Sequence, residues 1–370
     1  MMQRELYIGL MSGTSLDGID VAITAIDSKA ISLVASDCLP IPETLKAGLL
    51  SIALNEPSTI ANIGMLDHQL GLLYSNAVMH ILKLANLTPK DITAIGCHGQ
   101  TVFHQPLGPH RFTVQLGDAN LIAAQTGITT VADFRRKDMA LGGQGAPLVP
   151  AFHQHLFGQN HSNVVILNIG GIANISILET TGHALGFDTG PGNMLMDAWC
   201  LKHHNHPFDQ DAKWAQQGQI IPELLQHLMQ DKYFALPSPK STGREYFHLG
   251  WLEQHMGLES YSPVDVQRTL CELTALTVAE QIQPYQSGDH PSVYVCGGGA
   301  QNPLLMERLA QLLPNWHITT TSQQGVDSDA MEAMAFAWLA ERRIHNQPSN
   351  LPSVTGACRP ASLGVIYYPD

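Results

Sequence analysis

Apolar positions follow two rhythms along this chain. Short apolar runs predict strands at residues 6–11, 19–26 and 31–38. Residues 43–54 read as a helix. A longer helix is expected over 59–86, because Leu66, Leu70, Leu73, Ala77, Ile81 and Leu84 recur every three or four residues. Residues 92–97 form a short apolar strand that ends in His98-Gly99-Gln100-Thr101, a turn with polar side chains at a strand's C-terminal end. Asp118 is placed to cap a helix reaching Thr126, and residues 128–132 return as a strand. Then the pattern restarts. Residues 164–169 are a buried strand, Gly170-Gly171 a turn, and 172–178 and 184–187 further strands. Helices follow at 194–204, 222–229 and 263–283. A strand at 292–296 and helices at 303–313 and 328–344 complete the pattern.

A strand–glycine turn–strand unit therefore occurs twice, at residues 9–20 and 168–174, each time followed by more strand and then helix. Repetition on this scale predicts two duplicated α/β halves. The length, 370 residues, is also long for one core. The expected division is residues 1–132 with about 350–370 against residues 133–349. Net charge of −13, with no basic run, argues against nucleic acid and anionic membrane surfaces. Anionic ligands must then be held by local dipoles and a few placed cations. The six cysteines contain no C-x-x-C pair, which predicts reduced thiols rather than a disulfide or zinc framework. With no apolar span of membrane length and no signal-peptide pattern, the expectation is a cytoplasmic protein. His203-His204-x-His206 lies in a polar stretch and reads as solvated surface.

Five segments carry chemistry. The first, residues 9–20, runs a strand into a turn containing Gly13, Thr14, Ser15, Leu16, Asp17 and Gly18, and leaves through Ile19 and Asp20. Gly13 and Gly18 permit positive φ and close backbone approach, so N–H groups can face phosphate oxygens. Asp17 and Asp20 suit a hydrated Mg²⁺, which takes one or two carboxylates. Asp and Gly also build ordinary hairpin turns. The second turn, 168–174, offers Gly170, Gly171 and two amides without adding negative charge. In the third, a strand meets Gly297-Gly298-Gly299 before a helix opened by Pro303. The bare glycines leave room for a flat ring or a phosphate, and neither a P-loop nor a dinucleotide fingerprint is present. In the fourth, Asp188 stands among Gly186, Gly190, Pro191 and Gly192 before a helix, placed either as a general base or as a helix cap. The fifth, residues 133–138, concentrates Arg135, Arg136 and Lys137 in an acidic protein and precedes Gly142-Gly143-Gln144-Gly145. Arg135 can hold a carboxylate or phosphate bidentately. Glu332, early in the last helix, suits either a ligand contact or the helix dipole.

Residues 11–20, 96–101, 132–136, 142–147, 168–174, 187–193 and 297–300 together resemble the anhydro-N-acetylmuramic acid kinases, and the resemblance spans nearly the whole chain. It implies a duplicated actin/hexokinase (ribonuclease H-like) α/β fold flanking an ATP cleft. It implies ATP with Mg²⁺, and a small sugar, 1,6-anhydro-N-acetylmuramic acid, opened by water and phosphorylated on O6 in peptidoglycan recycling. Residues 13–20 match the family's ATP-binding loop, and Asp188 its general base. Arg135, Glu332 and Thr101 fall where sugar contacts are expected. A homodimer is the oligomeric expectation. A same-fold kinase for another sugar or carboxylate, and a non-catalytic actin-like nucleotide switch, stay open as alternatives.

Overall fold

The computed structural model describes every residue except 1–3, 14, 15, 17, 28, 29, 159, 160, 239, 245, 258 and 259. The chain divides into two compact units, residues 1–156 with 325–370 and residues 157–324.

The first unit holds β1 (Glu5–Met11), β2 (Gly18–Ile26), β3 (Ile31–Pro40), β4 (Ala94–Cys97), β5 (Gln100–Gln105), β6 (Phe112–Leu116) and β7 (Thr130–Ala132). The second holds β8 (Val164–Ile169), β9 (Ile172–Leu178), β10 (Ala184–Pro191), β11 (Ser292–Cys296) and β12 (His317–Thr320). The chain then returns to the first unit and ends on β13 (Val365–Tyr367). The main sheets run β13-β7-β4-β1-β2-β3 and β10-β9-β8-β11-β12. Apart from the added β13, the two orders are the same. In each, three antiparallel strands are followed by two parallel ones. This repeated order is the duplicated actin/hexokinase, or ribonuclease H-like, α/β fold. β5 and β6 pair apart as a hairpin.

Local signals explain the elements. Thr59 caps the helix Ile60–Leu84 by accepting from the Asn62 N–H at 3.1 Å. Leu66, Leu70, Tyr74, Ala77 and Ile81 form its buried face, whereas Leu84 is exposed. Asp118 accepts the N–H groups of Asn120 and Leu121, and the helix Ala119–Thr126 stops at left-handed Gly127. In the second unit the helix Pro263–Ile282 is buried along most of its length among Val165, Leu167, Val293 and Leu309.

The unit boundaries differ from the expected division at 132/133 and near 350. Residues 133–156 and 325–349 pack with the first unit. Gly9 in β1 and Gly96 in β4 supply the reason. A Cβ there would lie 1.7 Å from the Ala333 carbonyl oxygen and 2.0 Å from that of Phe336. The helix Met331–Ile344 therefore lies directly on the first sheet. It begins at Met331, three residues later than the apolar pattern suggests, after Asp327 has accepted the N–H groups of Asp329 and Ala330. The β5–β6 hairpin, β12, β13 and the helices Phe134–Ala140, Val149–Phe157 and Leu249–Met256 were not in the sequence reading.

Candidate active site

In the first unit the chain between β1 and β2 makes the first glycine turn. Among its described residues Leu16 is left-handed (φ 55°), buried and donating its N–H to the Gly13 carbonyl at 3.2 Å. Gly18 is not at positive φ, contrary to the sequence expectation. A Cβ there would stand 2.4 Å from the Cys38 sulfur, which would have to swing away to admit it. Ser12 is buried and bonded to the Tyr74 hydroxyl at 2.6 Å. Ile19 is core, while Asp20 pairs with Met11 across β1 and is half-buried. Thr14, Ser15 and Asp17 lie outside the described residues.

Asp20 sits within electrostatic reach of two other acids. Burial pushes its carboxyl above the usual range, a hydrogen bond with the Cys38 side chain opposes this, and Asp329 adds to the rise. Glu332, in the first turn of its helix, is also pushed up, by burial first and Asp20 second, while Arg135 pulls it down. Arg135 follows Asp133, itself left-handed at φ 55°. Its Nε and Nη2 donate to His98 Nε2 at 3.1 and 2.8 Å, and its Nη1 donates to the Gly145 carbonyl at 2.8 Å. Burial lowers the guanidinium to about 10, with Glu332 opposing. Burial, then the Arg135 charge, drives His98 well below its usual value, so the ring stays neutral and accepts. The Gly142–Gly145 turn hangs on buried Asp138, which takes the Gly145 N–H at 2.9 Å, Asn350 Nδ2 at 2.7 Å and the Thr355 hydroxyl at 2.8 Å. Asp20, Arg135 and Glu332 thus form one coupled cluster. Thr101 stands on the β5–β6 hairpin, where its hydroxyl accepts from Gln115 at 3.1 Å.

In the second unit the Gly170-Gly171 turn binds the start of the next helix. The carbonyl of Gly170 accepts from Asn193 at 2.8 Å, and that of Gly171 from Gly192 at 2.9 Å. A Cβ on either turn glycine would meet its nearest atom only at 3.6 or 3.7 Å, so the protein itself leaves space above this turn. Gly297 and Gly299 are packed differently. A Cβ would come 2.4 Å from Asn168 Oδ1 and 2.3 Å from Ile169 Cγ2, whereas Gly298 is open, with nothing nearer than 3.6 Å. The glycines pass through a 3₁₀ turn, Gly298–Gln301, before the helix Pro303–Leu312 begins.

Asp188 lies inside β10 opposite Asn174, directly before a β-bulge where the register shifts between Asp188 and Gly190, and not at a strand end. The following helix starts at Met194 with Asn193 at its cap position, so Asp188 is not the cap. Its Oδ2 accepts from the Thr242 N–H at 2.9 Å and the Ser241 hydroxyl at 3.3 Å.

A model of the family "Anhydro-N-acetylmuramic acid kinase" matches residues 5–369. The chain belongs to this family. It is 62% identical over 370 residues, all of both chains, to the anhydro-N-acetylmuramic acid kinase of Vibrio cholerae serotype O1. It is 57% identical over 367 residues, 99% of each chain, to that of Vibrio parahaemolyticus serotype O3:K6. Among solved structures, a ROK family glucokinase from Streptomyces griseus in complex with glucose and AMPPNP is 14% identical. The match covers 91% of this chain and 99% of that one, at a TM-score of 0.40. Membership of a kinase family disfavours the non-catalytic switch, and a kinase of this ATPase fold uses ATP.

For this kinase family member the sequence reading missed the residues that hold the named ones. His98, a polar turn residue by sequence, is the acceptor for Arg135. Tyr233, Lys240, Ser241 and Thr242 were not singled out, although Lys240-Ser241-Thr242-Gly243 is a short polar, glycine-ended run of the kind that marks a loop. Among the described residues no group of three His, Cys, Asp or Glu side chains is arranged to hold a metal ion. No helix among the described residues is long and apolar enough to cross a membrane.

Proposed function

We propose that this chain is an ATP-dependent kinase that hydrolytically opens 1,6-anhydro-N-acetylmuramic acid and phosphorylates O6. The products are N-acetylmuramic acid 6-phosphate and ADP, and the role is peptidoglycan recycling and amino-sugar catabolism in the cytoplasm. The observation that carries the reading is Asp188, a carboxylate fixed by two donors within a strand and excluded as a helix cap. Asp188 accepts a proton from water as the water oxygen bonds to C1. The C1–O6 bond breaks, its electron pair goes to O6, and O6 attacks the γ-phosphorus of ATP. ADP leaves, and the proton passes from Asp188 to solvent. Little covalent chemistry is asked of the protein; positioning and charge neutralisation carry phosphoryl transfer.

Residues 13–20, Gly170, Gly171 and Gly297–Gly299 serve the nucleotide in this reading. The open faces of Gly170, Gly171 and Gly298 support that role. Arg135, Glu332 and Thr101 serve the sugar. Arg135 is hydrogen-bonded to two neutral acceptors, His98 and the Gly145 carbonyl, and its charge acts on Glu332 beside it. Mg²⁺ fits Asp20, whose carboxyl is crowded by Asp329 and Glu332, with Asp17 as the expected second ligand; when bound, it neutralises phosphate charge. A homodimer belongs to the proposal, supported by exposed Met65, Leu72 and Met79 at seven-residue spacing along one helix. A solution mass of a single 40.2 kDa chain would remove it.

The test is turnover in ¹⁸O-water, quenched at once, with the parent and Asp188→Asn. The parent should place the label at C1. Asp188→Asn should lose roughly 10²–10⁴-fold in kcat while still binding ATP. A parent product without label means an ordinary hydroxyl kinase. A variant turning over at the parent's rate means that Asp188 is not the base.

A further inference from the structure

Asp188 is gripped by one stretch of chain lying 45 to 54 residues further on. Its N–H donates to the Lys240 carbonyl at 3.0 Å, and its carbonyl accepts the Tyr233 hydroxyl at 2.9 Å. With the two donors on Oδ2, the backbone and the carboxylate of Asp188 are both held from this stretch. Asp231 anchors its start, taking the Tyr233 N–H and the Tyr246 hydroxyl at 2.8 Å and the Trp251 indole N–H at 2.9 Å.

The end that touches the carboxylate is tied back by Lys240, which is only 8% exposed. Its ammonium donates to the carbonyls of Tyr233 at 3.2 Å and Phe234 at 3.1 Å, and it lies 4.9 Å from the centre of the Tyr233 ring. Burying an ammonium is costly unless it is bonded, and here its bonds close a loop from residue 233 to residue 240. Solvent exposure would suit a lysine with no such task.

We propose that Lys240 is a positioning residue for the catalytic base. By closing the 233–240 loop it sets the Thr242 N–H and the Ser241 hydroxyl on Asp188 Oδ2, and so aims the carboxylate at the water it deprotonates. This rests on Asp188 being that base. Loss of the tie lets the carboxylate turn, and misplacement on the ångström scale costs about 10²-fold in rate. It also removes hydrogen bonds that favour the charged carboxylate, so the acidic limb of the rate profile moves to higher pH.

Lys240→Met in the full-length enzyme tests this. The expected result is a fall in kcat of roughly 10–100-fold with little change in KM for ATP, and an acidic limb moved upward. Lys240→Arg, able to donate to both carbonyls, should recover most of the rate. If Lys240→Met does not fold, Lys240→Gln, which has no ammonium to bond both carbonyls, should move the same two readouts in the same directions. A folded Lys240→Met with the parent's kcat and pH profile overturns the proposal, as does a folded Lys240→Gln with both readouts unmoved. Asp188→Asn separates the two levels. If it retains the parent's rate, the base assignment falls. If it is inactive while Lys240→Met behaves as the parent, only the role of Lys240 falls.

Discussion

His153 makes the stability of the first unit depend on pH, by an amount that can be worked out. It lies in the helix Val149–Phe157, is 5% exposed, and neither ring nitrogen meets a hydrogen-bond partner among the described residues. Burial alone pushes its pKa down to about 3. In the unfolded chain the same ring titrates near ~6.5. Between these values the unfolded state binds the extra proton, so stability is lost as pH falls below about 6.5. The loss is about 1.4 kcal/mol per pH unit, or roughly 2 kcal/mol at pH 5, and it levels off below pH 3 at about 5 kcal/mol. His153→Leu keeps comparable volume and removes two desolvated nitrogens, so near neutral pH it should cost little or stabilise. The assay is urea unfolding of parent and variant at about pH 7.5 and pH 5. The difference in stability between them should shift by about 2 kcal/mol in favour of leucine at the lower pH. Other groups that titrate cancel in that subtraction. Parallel pH dependence of the two proteins would show that His153 is hydrated or protonated in the folded state, and would refute the argument.

Two further outcomes follow from the geometry. Gly96→Ala should destabilise the first unit by more than about 3 kcal/mol, because its Cβ would overlap the Phe336 carbonyl backbone. Gly64→Ala, with nothing within 4 Å, is the control and should stabilise its helix by about 0.5–1 kcal/mol; equal urea midpoints for the two variants would contradict this. Asp20→Ala should raise the Mg²⁺ concentration needed for half-maximal turnover, and should also relieve Glu332 of a like charge. An unchanged Mg²⁺ titration would assign Asp20 to the hairpin alone.

Much of this protein is settled by signals local in the chain. Short continuous apolar runs mark β1, β2, β8 and β9, and the 3.6-residue recurrence marks the helix Ile60–Leu84, whose side-chain period follows directly from backbone geometry. Caps such as Thr59 and Asp118 act within three residues of themselves, so they are visible without a fold. Asp188, Arg135 and Glu332 were recognisable as candidates by residue type and motif. What surrounds them was not. Arg135 depends on His98, 37 residues earlier, and Asp188 on Thr242, 54 residues later. Asp138 holds its turn through Asn350 and Thr355, more than two hundred residues away. The reason that Gly9 and Gly96 must be glycine is a helix near the end of the chain. Such pairings are decided by which elements the packed sheets and helices bring together, and no local pattern of apolar and polar residues encodes that choice. The sequence determined the elements and the chemistry available at each turn; tertiary packing decided which of those groups are buried, which are paired, and which way Asp188 faces.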